Sequence, residues 1–78
     1  MSCVTPECKA VEEFVRSLIG DRPGVLWSVL DPANEDAIYL KIWLSGGHRE
    51  LKLDVPSATL KEATKMIIQN WLLEIAAI

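Results

Sequence analysis

The sequence predicts an α+β fold of order α-β-β-β-α, a two-layer sandwich. A three-stranded antiparallel meander carries two helices packed on one face. Three observations point to it. Ile38, Leu40, Ile42 and Leu44 alternate with Tyr39, Lys41 and Trp43, the period-two signature of a strand with one buried face. Gly46-Gly47 follows, and Leu51 and Leu53 then alternate with Glu50, Lys52 and Asp54, which reads as the return strand of a hairpin. Segments of helical periodicity flank this hairpin on both sides.

Met1 to Val4 reads as a flexible arm before the first helix. Thr5-Pro6-Glu7 is a helix start: a hydroxyl N-cap, proline in the first helical position and a carboxylate in the first turn. Cys8, Val11, Phe14, Val15, Leu18 and Ile19 then recur at helical spacing, and Gly20 sits where a left-handed C-terminal residue belongs. The first helix is expected from Pro6 to Ile19.

Val25 to Leu30 is the first strand candidate, rich in β-branched and aromatic residues. Asp31-Pro32-Ala33-Asn34-Glu35 is punctuated as a loop. Closing that loop with Asp31 opposite Asp36 sets Trp27 against Leu40 on the core side. Leu26, Ser28 and Leu30 then point outward. Closing the hairpin on Gly46-Gly47 pairs Ile42 with Leu51 and Leu40 with Leu53 on the core side. It pairs Trp43 with Glu50, Lys41 with Lys52 and Tyr39 with Asp54 on the other. A slip of one residue would reverse a strand's faces.

Val55 to Ala58 ends the sheet. Thr59 and Glu62 form a T-x-x-E capping box, with Ser57 as the rival N-cap. Leu60, Ala63, Thr64, Ile67, Trp71, Ile75 and Ile78 fall on one stripe of the second helix, and Trp71 is expected in the core. From Trp71 onward that helix is apolar nearly all round, with Glu74 its only charge. Such a helix is buried on more than one side or meets another chain.

A chain of 78 residues fits one domain, 1–78. Domains of this size bury only about 60% of the surface their unfolded chains expose. Half of the residues are hydrophobic, so apolar surface should remain outside, and a homo-oligomer or a protein complex is expected. The net charge of −3 leaves no basic footprint for nucleic acid. Cys3 and Cys8 lie close together, so a bridge would close only a trivial loop, and two cysteines do not make a disulfide framework. They read as free thiols in a reducing compartment, which suggests the cytoplasm. The first residues lack the pattern of a signal peptide, and no apolar run nears the ~20 residues of a membrane span, so no membrane association is expected.

Chemistry is sparse. His48 follows a hairpin turn and reads as a solvated turn residue. Cys8 lies in a first helical turn, where a thiol can be activated, but also three before Val11 on the apolar stripe, where cysteine packs as a small hydrophobe. Asp31, Glu35 and Asp36 gather around one loop without the spacing of a calcium site, so a solvated turn is preferred. Gly46-Gly47 precedes no helix and is not a phosphate loop. No catalytic group, metal or cofactor is expected, and the chain reads as non-enzymatic.

Surfaces say more. The open sheet face gathers Leu26, Leu30, Tyr39 and Trp43 beside Lys41, Glu50 and Lys52, and aromatics framed by charges suit a binding surface. The bland alternative is that the lysine stems simply shield the rings. A second candidate surface is the apolar helix end, with Leu72, Leu73 and Ile78. The element order is shared with double-stranded RNA-binding domains, but the resemblance is topological only. That family's helix start is a lysine cluster, and here Lys61 and Lys65 flank Glu62. Its first loop is of Gly-Pro-His type, and here Asp31 to Glu35 is acidic. None of its RNA-contacting residues transfers. The expected function is a protein-interaction module, self-associating or binding a protein partner. The alternative is a nucleic-acid-binding domain that stacks bases on Tyr39 and Trp43, with Lys41 and Lys52 on phosphates.

Overall fold

The structure, a computed structural model, describes residues 5–20, 22–32, 36–54 and 61–78. The expected arm at 1–4, the sheet-ending segment from Val55 and the residues Ser57, Thr59 and Leu60 lie outside them. Within them the order is α1 (Pro6–Ile19), β1 (Leu26–Leu30), β2 (Ile38–Leu44), β3 (Gly47–Leu53) and α2 (Glu62–Glu74). The strands form one open antiparallel sheet in the order β1-β2-β3, and the helices cover one face of it.

Helix α1 has the bounds its caps dictate. Thr5 is extended at the N-cap, and its Oγ1 accepts from the Cys8 N–H at 3.2 Å. Gly20, with φ 63°, ends the helix and donates its N–H to the Arg16 carbonyl at 2.8 Å. Cys8, Val11, Val15 and Ile19 are buried, with Phe14 and Leu18 packed beside them. In the last turn the Arg16 guanidinium lies 5.6 Å from the Trp27 ring centroid. This is a cation–π contact that ties α1 to β1.

Cys8 departs from its free-thiol reading: it is buried and disulfide-bonded. The chain's other cysteine, Cys3, lies outside the described residues. The inference of a reducing compartment rested on free thiols and loses that support.

Each strand's expected faces hold, but both registers differ by two residues. The hairpin closes with Leu44 opposite Gly47, so its two-residue loop is Ser45-Gly46 rather than Gly46-Gly47. Gly47, at φ 128°, takes the backbone conformation that only glycine adopts without strain. Leu40 therefore faces Leu51, Ile38 faces Leu53, and Lys41 faces Glu50 rather than Lys52. That last change exchanges a like-charge pair for an ion pair, Lys41 Nζ to Glu50 Oε2 at 3.5 Å. On the other side Trp27 faces Ile42 and Val29 faces Leu40. The two-residue offset spares β1 from closing with Asp31 opposite Asp36.

The core joins Val29, Ile38, Leu40, Ile42 and Leu53 of the sheet to the buried side of α1 and to Ile68, Leu72 and Ala77. The buried side of α2 differs from the expected stripe. Ile67 is 51% exposed and Ala63 is exposed, while Ile68 and Leu72 are fully buried. Trp71, Ile75 and Ile78 are half-buried against that core. Ile67-Ile68 and Leu72-Leu73 offer apolar residues to two helical phases, so spacing alone favours neither. The start differs too. Lys61 is the N-cap and makes no side-chain cap bond. Glu62 therefore opens the helix, where its carboxylate suits the positive end of the dipole, instead of closing a capping box.

The end of α2 is a Schellman turn. The Ala77 N–H donates to the Leu72 carbonyl at 2.9 Å, and the Ala76 N–H to the Leu73 carbonyl at 3.1 Å. Ala76 reaches this geometry with φ 58°, a left-handed conformation without glycine. The turn folds Ala77 back into the core beside Leu72.

Candidate interaction surface

Strand alternation sends every second side chain away from the helices. The pairing then fixes a three-by-three grid on the open face. One row is Leu26, Trp43 and His48; the next is Ser28, Lys41 and Glu50; the third is Leu30, Tyr39 and Lys52. All seven residues proposed for this face from the sequence fall on the grid, together with Ser28 and His48.

The rows differ in character. Leu26 is 72% exposed and Trp43 41% exposed, and they are direct cross-strand partners. Leu30 and Tyr39, also partners, are half-buried. Between these two apolar rows runs the Lys41–Glu50 pair. That pair holds the Lys41 side chain toward β3, away from Leu26. Lysine stems therefore do not cover the Leu26 end. The charged side chains of the grid are Lys41, Lys52 and Glu50; exposed Asp54, two residues beyond Lys52, continues the same side of that strand, so the signs balance across the face.

The helix-end candidate changes composition. Leu72 is fully buried, so it is core and unavailable to a partner of the folded chain. Ile78 is half-buried against the core. Leu73 remains, 57% exposed, and the structure adds two residues that sequence reasoning missed, Met66 and Ile67. The signal for them was present in the apolar character of the helix on all sides, but the misplaced stripe put Ile67 inside.

The remaining chemical candidates resolve into structural roles. Asp31 accepts two hydrogen bonds from Thr5, at 2.8 Å from N–H and 2.7 Å from Oγ1–H. It is a docking group for α1 rather than a solvated turn carboxylate; Glu35 lies outside the described residues. His48 is exposed at the end of the Leu26–Trp43 row. An open depression of about 490 Å³ is lined by Gly20, Arg22, Gly24, Val25, Leu26 and Trp27. Among the described residues Arg22 is the one charged group that lines it. Among the described residues no three His, Cys, Asp or Glu side chains gather as a metal site. No helix among them is long and apolar enough to cross a membrane.

Compared with known protein families, with curated proteins and with solved structures, the chain matches none.

Proposed function

We propose that this chain is a small non-enzymatic protein-interaction module that associates, with itself or with a protein partner, through its open sheet face. The supporting observation is the Leu26–Trp43 pair. Two large apolar side chains meet at exposed neighbouring positions, on a face the helices leave bare. An indole in such a setting adds little to the isolated fold, yet anchors an interface strongly once water is excluded. Magnitude limits the strength. Strands lie about 4.8 Å apart and same-face residues about 6.6 Å apart, so with its side chains the grid spans roughly 15 × 20 Å. That is about 300 Å² in plan, well below the ~800 Å² per partner of a standard stable interface. Association through this face alone is therefore reversible and concentration-dependent.

An NMR dilution series tests the proposal. The Trp43 indole N–H and the amides of Leu26, Leu30 and Tyr39 should shift with concentration, and the shifts should persist in high salt. Shifts that appear only when an oligonucleotide is added, and vanish with salt, would favour the nucleic-acid reading instead.

A further inference from the structure

Two apolar surfaces of this molecule face opposite ways. Across the sheet from the open face, α2 turns Ile68 and Leu72 into the core and presents Met66, Ile67 and Leu73 outward. We propose that the outer side of α2 in one copy seats on the open sheet face of the next, joining copies head to tail. This rests on the sheet-face reading above and adds the occupant.

Charge supports the pairing. On the outer side of α2 the exposed apolar residues lie between Glu62 near one end and Glu74 at the other. Lys65 falls elsewhere, since a rotation of about 100° per residue sets it on the side of Ile68 and Leu72, and Lys61 precedes the helix as its N-cap. An apolar ridge flanked by two carboxylates thus faces an aromatic surface on which Lys52 stands outside the Lys41–Glu50 pair. Size agrees as well: thirteen helical residues run about 20 Å, the length of the grid. A helix laid on a sheet is also the contact this fold already makes on its other face.

The rival arrangement, two open faces joined about a two-fold axis, conflicts with the grid. Lys41 occupies its centre. A two-fold axis through that centre sets Lys41 against its own copy, a juxtaposition that interfaces avoid. The head-to-tail contact uses two different surfaces, so it does not stop at two copies unless a ring closes. Each contact is small, and the assembly should lengthen gradually with concentration.

Sedimentation equilibrium with two blocking variants, Trp43→Glu for the sheet face and Leu73→Lys for the helix, tests this. Both positions are exposed, and circular dichroism checks that each variant folds; Trp43→Ala and Met66→Lys replace any that does not. The wild-type mass should rise past twice the 8.7 kDa of the chain as concentration increases. Each variant alone should stay near one chain mass. Mixed, the intact helix of the first and the intact face of the second should give a one-to-one pair and no larger species. A Leu73→Lys protein that associates like wild type, with Trp43→Glu monomeric, overturns the head-to-tail contact and leaves the sheet-face reading standing. A wild type that remains at one chain mass throughout overturns the inference together with self-association.

Discussion

Thr5 and Asp31, 26 positions apart, are joined by two hydrogen bonds to a single carboxylate oxygen: the Thr5 N–H and Oγ1–H both donate to Asp31 Oδ2. The same hydroxyl accepts the Cys8 N–H. One carboxylate therefore orients the N-cap of α1 and fastens it just past the end of β1. Replacing Asp31 with alanine should cost about 1–2 kcal/mol, the range for a lost cap with a charge-assisted bond. Urea denaturation is the check, with exposed Glu13→Ala as the control that changes little.

Adjacent isoleucines on α2 should behave oppositely. Ile68 is fully buried, and Ile68→Ala should cost about 2–5 kcal/mol. Ile67 is half exposed, and Ile67→Ala should cost under about 1 kcal/mol in the monomer. Thermal unfolding of the two variants would decide the helix phase; equal losses would mean that α2 is rotated from the orientation described.

At Ala76 the Schellman turn holds an alanine in a conformation that costs a side-chain-bearing residue about 1 kcal/mol or more. Ala76→Gly should raise stability by about 0.5–1 kcal/mol, seen as a higher urea midpoint at unchanged slope. A fall in the midpoint would show that α2 does not end in this turn.

Cys8 is disulfide-bonded and buried. Unfolded without reductant, the chain should leave no thiol for an alkylating reagent. After reduction both of its two cysteines should react. Labelling of Cys8 before reduction would restore the free-thiol reading.

Local rules made much of this legible in the sequence. The bounds of helix α1, Pro6 to Ile19, could be read because Thr5, Pro6 and Gly20 mark its ends by local chemistry. The faces of the strands were legible because alternation has only two settings and the apolar residues select one. Register was not. A two-residue shift leaves each face intact, and what separates the alternatives is cross-strand chemistry, Lys41 with Glu50 against Lys41 with Lys52. The phase of α2 was hidden by apolar residues on both of its sides. The Thr5–Asp31 link joins residues too distant for any local pattern to pair. Of the candidate surface, the sheet face followed directly from alternation. The outer side of α2 did not, because it depends on which of two neighbouring isoleucines is buried.

Trp43→Ala bears most directly on the claim that the open sheet face is where this chain associates. Trp43 pairs with Leu26 and His48 on that face and makes no part of the buried core. Its removal should cost the fold only about 1 kcal/mol, the scale of a cross-strand pair. Sedimentation equilibrium at matched concentrations, beside circular dichroism, is the measurement. The account predicts an unchanged spectrum and a mass that stays near 8.7 kDa where the wild type exceeds it. A folded Trp43→Ala protein that associates as the wild type does would contradict it.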